Sequence, residues 1–160
     1  MVNSKGKYKI LFIEDEELVN LVHFNMLETL FKKDKVKIFN ARNGEEGKNI
    51  LKTEEIDILI VDWMLPGELD GLKLLKWVKK DKNYGSSFPV VFFTAVSEPS
   101  NISRALKEGC DEYLLKNGEI LELRASLKKF IPEEIFTPEE EILTSIENYS
   151  PYSLEDQGKD

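Results

Sequence analysis

Ile56-Asp57-Ile58-Leu59-Ile60-Val61-Asp62-Trp63-Met64-Leu65-Pro66-Gly67 is a short apolar run that ends in a carboxylate and then in a proline turn. Four consecutive residues of the Ile58 to Val61 kind suit a strand covered on both faces, as in parallel sheets, where polar alternation is lost. Asp62 stands where that strand leaves the core. In open α/β sheets ligands bind beyond the carboxyl ends of the strands, so an acid here is placed for chemistry. Taken alone, the stretch equally suits an Asp that merely caps the next loop.

Three further runs end in reactive groups. Lys9 to Ile13 ends in Glu14-Asp15-Glu16-Glu17, Pro89 to Phe93 ends in Thr94-Ala95, and Glu112 to Leu115 ends in Lys116. If these strands are parallel, two acids, a hydroxyl and an ammonium share one sheet edge. The separations leave room for the helical crossovers that parallel pairing requires.

Between the runs the pattern is helical. Val19, Val22, Met26 and Leu30 mark a core-facing stripe on a helix from Glu16 to about Lys33. Val36 to Ala41 reads as a strand, Asn43-Gly44 as a turn and Glu45 to Lys52 as a short helix. Gly71 opens a helix with Leu72, Leu75 and Val78 inward and Lys73, Lys76, Lys79 and Lys80 in solvent. Pro99 starts another, with Ile102, Ala105 and Leu106 inward and Gly109 as its C-cap. Ile120, Leu123 and Leu127 mark the last. Five strands alternating with five helices predict an α/β, doubly wound parallel five-stranded sheet.

A chain of 160 residues suits one domain with a small appendage. Cys110 is the only cysteine and can form no internal disulfide, which fits a reducing cytoplasm. No run reaches membrane-spanning length, and the first ten residues do not form a secretory signal, so a cytoplasmic protein that contacts no membrane is expected. Of the 22 Lys and Arg only Lys159 lies beyond Phe130, whereas Glu133, Glu134, Glu139, Glu140, Glu141, Glu147, Glu155, Asp156 and Asp160 all do. The net charge of −8 thus belongs to the tail, and a neutral globule is a poor nucleic-acid binder.

Glu14-Asp15, Asp62 through Pro66, Thr94-Ala95 and Tyr113 with Lys116, in that order, resemble the response-regulator receiver domain of two-component signalling over roughly residues 7–131. The resemblance implies a flavodoxin-like sheet of order 2-1-3-4-5. It implies that Asp62 accepts a phosphoryl group from a sensor histidine kinase or a histidine phosphotransfer protein, in a phosphorelay or two-component pair. The chain would assist its own phosphotransfer and autodephosphorylation without being an enzyme in the usual sense. By the same resemblance Asp15, Asp62 and the Met64 backbone carbonyl ligate Mg²⁺ with Glu14 supporting, Lys116 and Thr94 meet the phosphoryl oxygens, and Thr94 with Tyr113 forms the switch. Like charges about 4 Å apart repel by roughly 4 kcal/mol at an effective dielectric of 20, so a cation is needed. A downstream protein target, and a second copy in a homodimer, are the other implied partners. With no recognisable output domain following, a single-domain type is expected.

Two features depart from the family pattern. Asp70-Gly71 follow Pro66 one residue later than usual, and Asn117 replaces the proline that usually follows the lysine. A non-proline cis bond costs about 3 kcal/mol, so a trans Lys116-Asn117 bond is expected. Two other function classes compete: a receiver-fold docking module that works without phosphorylation, and an Asp-nucleophile phosphohydrolase, which wants an acid where Met64 stands. His23, the only histidine, lacks the Lys and Gly that accompany phosphotransfer histidines, and Cys110 reads as a packed residue.

The acidic extension, residues 132–160, contains Thr137-Pro138-Glu139-Glu140, which reads as an N-cap, a first-turn proline and a capping-box Glu, with a helix near 138–148. Ile142, Leu143 and Ile146 share one face. Leu21, Phe24 and Phe31 on the first helix, of its own chain or of a partner, offer a surface for it, as against an acidic disordered tail beyond Pro132 that leaves the patch as a kinase-docking or dimer face.

Overall fold

In the computed structural model, residues 6–148 are described; Glu155, Asp156 and Asp160 of the acidic tail lie outside them. The chain runs β1 (Tyr8–Ile13), α1 (Glu17–Leu30), β2 (Val36–Ala41), α2 (Gly44–Thr53), β3 (Ile58–Val61), α3 (Gly71–Lys80), β4 (Val90–Thr94), α4 (Pro99–Lys107), β5 (Glu112–Leu115), α5 (Ile120–Leu127), a 3-10 turn (Glu133–Ile135) and α6 (Glu139–Asn148). All strand pairs are parallel and the order is β2-β1-β3-β4-β5. This is the doubly wound sheet the runs predict. The unbroken apolar strands follow from it: Leu59, Val61 and Phe92 pack on one face under α2 and α3, while Ile58, Ile60 and Phe93 pack on the other with α1 and α5.

Helix faces were harder to read than strands. On α1 the inward stripe is Asn20, His23, Leu27 and Leu30, and Val22 is 58% exposed, so the predicted stripe is rotated. Two polar residues hold inward positions near the sheet's carboxyl edge, and a count of apolar residues passes over them. The helix also stops at Leu30 because Phe31 turns extended and bridges to Phe136. On α4 only Ala105 is buried, and Leu106 is 50% exposed. Lys79 is not a solvated residue: its ammonium donates to the Ser86 and Phe88 carbonyls and to Asp111. Lys116-Asn117 is trans.

The extension folds against its own chain at the far end of α1. Lys32 N–H donates to the Ile135 carbonyl at 2.9 Å, and Thr137 N–H donates to the Leu30 carbonyl at 2.8 Å. Thr137 is therefore used as an anchor. Arg124, nearly buried on α5, donates from Nη2 to the Thr137 carbonyl at 3.1 Å and lies over the Phe136 ring at 5.2 Å. Ile135, Phe136 and Ile142 join the core with Leu27, Leu30, Phe31, Leu123 and Leu127. Of the three residues expected to share a docking face only Ile142 is buried; Leu143 and Ile146 stay exposed. The extension covers Phe31 and leaves Leu21 in solvent. A ten-residue helix is marginal in water by itself, so this burial is what holds α6. Ile142→Ala should weaken its docking by about 2 kcal/mol or more. Hydrogen exchange checks this: α6 amides lose protection while those of β1 and β3 keep theirs, and α6 amides unprotected in the parent protein would refute the docking.

Candidate functional site

The carboxyl ends of β1, β3, β4 and β5 surround an open cavity of about 660 Å³ lined by Glu14, Asp15, Asp62, Met64, Thr94, Glu98 and Lys116 among others. Each arrives by a short route. Glu14 and Asp15 follow the last residue of β1, Asp62 follows β3, Thr94 ends β4 and Lys116 follows β5. Parallel pairing in register is what gathers them. Thr94 and Lys116 are tied further, since Lys116 N–H donates to the Thr94 carbonyl at 3.0 Å.

Carboxylate oxygens of Glu14, Asp15 and Asp62 all lie within 4.8 Å of one another. Glu14 and Asp62 are buried and Asp15 is exposed. The Lys116 ammonium donates to Asp62 Oδ2 at 2.6 Å and to Glu14 Oε2. Burial pushes the Glu14 carboxyl above the usual range; Lys116 pulls it back, and Asp62 adds to the rise. For Lys116, burial works against the charge, but the bonds to Asp62 and Glu14 outweigh it and its pKa is raised. The donor set is entirely oxygen, with one member open to solvent, which fits a hard divalent cation that keeps some of its waters.

The Asp62 loop is closed tightly. Gly71 N–H donates to the Trp63 carbonyl at 3.0 Å, and a Cβ on Gly71 would sit 2.3 Å from the Asp62 carbonyl oxygen, so only glycine fits. Asp70 caps α3 by accepting from Lys73 N–H. The longer loop turns at Gly67, with φ at +85°. Met64 N–H donates to Asp62 Oδ1 at 3.3 Å, and its side chain is 66% exposed.

Thr94 is fully buried, and its Oγ1 accepts from Val96 N–H at 3.3 Å. The Tyr113 hydroxyl donates to the Val96 carbonyl at 2.7 Å, its ring packs near Trp63 and Phe92, and burial pushes the phenol up to about 12. Val96 thus bonds both Thr94 and Tyr113 through its backbone, a link that leaves no trace in sequence.

A sequence profile described as "Response regulator receiver domain" matches residues 10–128. The chain belongs to the response regulator receiver domain family. The probable C4-dicarboxylate response regulator DctR of Bacillus subtilis is 31% identical over 127 residues, 79% of this chain and 54% of that one. A chemotaxis protein CheY homolog of Campylobacter jejuni is 31% identical over 109 residues, 68% of this chain and 80% of that one. Among solved structures, the receiver domain of a signal transduction histidine kinase from Syntrophus aciditrophicus superposes with a TM-score of 0.66 at 27% identity, covering 77% of this chain and 89% of that one. The chain spans about half the length of several curated relatives it matches, DctR among them. No helix among the described residues is long and apolar enough to cross a membrane.

Two sequence readings outside the site have clear outcomes. Cys110 is buried and its thiol is pushed up to about 11 by burial, so it is a packed residue. His23 is buried against Phe93 at 4.6 Å, and its Nδ1 has no hydrogen-bond partner. Burial, and then the Lys116 charge, lower its pKa, so the unfolded chain binds the proton more readily. Stability from neutral His23 is therefore complete above about pH 6.5 and is lost as pH falls through the folded value. Against His23→Leu, the parent should lose stability more steeply between pH 7.5 and 5, as urea titrations at each pH will measure; parallel profiles would rule this out.

Proposed function

We propose that this chain is a phosphorylatable receiver that takes a phosphoryl group on Asp62 from a histidine kinase or a histidine phosphotransfer protein and changes its surface for a downstream protein. The observation that carries this reading is the meeting of Asp15, Glu14, Asp62, Thr94 and Lys116 in one open cavity at the sheet edge. An Asp62 oxygen forms the bond to phosphorus as the bond to the donor nitrogen breaks, and the nitrogen keeps the electron pair. Asp15, Asp62 and the Met64 carbonyl would hold Mg²⁺, with Glu14 supporting. That ion would neutralise charge as it builds on the phosphoryl oxygens.

The remaining work belongs to side chains. The Lys116 ammonium, bonded to Asp62 before transfer, turns its donors to a phosphoryl oxygen. Thr94 Oγ1 already accepts from Val96, which leaves its own hydrogen to donate to the phosphoryl group. Drawing Thr94 forward strains its bond to Val96, the residue that also holds the Tyr113 hydroxyl, so Tyr113 and the α4–β5 surface respond together. Water attack on the same phosphorus would reset the site. The exposed Leu18, Leu21 and Val22 of α1 give a phosphodonor protein an apolar face, and the kinase would meet the chain in the cytoplasm.

Incubation with acetyl phosphate and Mg²⁺ followed by intact-mass measurement should show one added phosphoryl group, removed by hydroxylamine and absent in Asp62→Asn. Label retained in Asp62→Asn would move the acceptor elsewhere, and no label on the parent protein would favour a docking module. Separately, Mg²⁺ should raise the melting temperature of the parent by mass action and lose most of that effect in Asp15→Ala. An unchanged shift in that variant would place the cation at other ligands.

A further inference from the structure

Behind the acidic turn lies a second polar cluster to which the phosphotransfer reading gives no role. Asn20 is 1% exposed, on the inward face of α1. Its Nδ2 donates to the Glu14 carbonyl at 2.9 Å and to Asn40 Oδ1 at 2.8 Å, while its Oδ1 accepts from Asn40 Nδ2 at 2.7 Å. Asn40 is exposed on the edge strand β2. The Glu14 carbonyl leaves Asn20 one orientation, and the pairing then sets that of Asn40. Turned over, the Asn20 oxygen would face the Glu14 carbonyl oxygen at the same 2.9 Å, two acceptors in contact.

Asparagine is a poor helix former, and a buried amide costs free energy unless it is fully bonded. Leucine would serve packing and helix alike at that position. What the amide adds is a fixed Glu14 peptide. Glu14 N–H donates to the Ala41 carbonyl at the end of β2, its carbonyl accepts from Asn20, and its Oε1 accepts from Glu16 N–H at 3.2 Å. Glu16, at the N-cap of α1, makes no side-chain cap bond. Asn20, one turn into the helix, is thus the side chain that ties α1 to the turn carrying both acids.

We propose that Asn20, held by Asn40, is a positioning residue for the divalent-cation site: it fixes the Glu14 carbonyl and so aims the Glu14 and Asp15 carboxylates at Asp62. The inference rests on reading Glu14, Asp15 and Asp62 as that site. It predicts a loss of metal affinity in folded protein, which a purely structural asparagine would not produce. Removing the amide alone also leaves the Glu14 carbonyl without its donor, which lowers stability. Loss of a residue that orients metal ligands weakens metal affinity by about 10- to 100-fold.

The test uses the full chain and Mn²⁺ as probe, with free Mn²⁺ counted by electron paramagnetic resonance and melting temperature measured in EDTA. Asn20→Leu should bind Mn²⁺ about tenfold more weakly. Its melting temperature in EDTA should fall yet leave the protein folded at the temperature of the titration. Asn40→Ala, at an exposed position that does not endanger folding, should show a smaller loss in the same direction and decides the matter if Asn20→Leu does not fold. Affinity within about twofold of the parent in every folded variant, whatever the melting temperature, overturns the proposal. Asp15→Ala serves as the reference: if it too binds Mn²⁺ like the parent, the site reading fails as well, and if it alone loses binding, only the role of Asn20 fails.

Discussion

Crowding of carboxylates is the constraint around which this protein is built. Glu14, Asp15 and Asp62 are brought together because β1 and β3 run parallel and end at the same level, and two of the three are buried. Unpaired buried charge is among the costliest features a fold can carry. Lys116 offsets it from the far side of the sheet, reaching from the end of β5 to both buried acids. Three carboxylates facing one ammonium leave the cluster short of positive charge by two formal units. That deficit gives a doubly charged cation a reason to bind.

Strands were legible in the sequence because a strand covered on both faces needs apolar residues at every position. Ile58 to Val61 occupies the span its composition marks and is buried throughout. The groups that line the cavity were legible for the same reason: Asp62, Thr94 and Lys116 are the first departures from apolar runs whose ends must align. Helix faces were less legible because a helix packed on a sheet face buries only part of its circumference. Asn20 and His23 take inward positions through bonding and ring packing, neither of which hydropathy measures. Val96 is farther still from view, since its part is played by its backbone.

The extension shows how a polar residue can be the anchor of an apolar contact. Arg124 would be costly to bury unpaired. Here it gives donors to the Thr137 carbonyl and to Glu139, and its guanidinium covers the Phe136 ring. A long stem that lies along apolar surface while its head is bonded is what arginine does better than lysine. The returning chain gives Arg124 these partners, at Thr137 and Glu139.

The bond from Thr137 N–H to the Leu30 carbonyl bears on how this chain can be recombined with others. The family profile ends at residue 128, and a chimera joined there would look conservative. Such a junction would discard the donor that closes the last turn of α1, together with Ile131, Ile135, Phe136 and Ile142, all buried in the core on that side of the sheet. In this protein the transferable unit is longer than the family profile, and a breakpoint that respects it lies beyond α6.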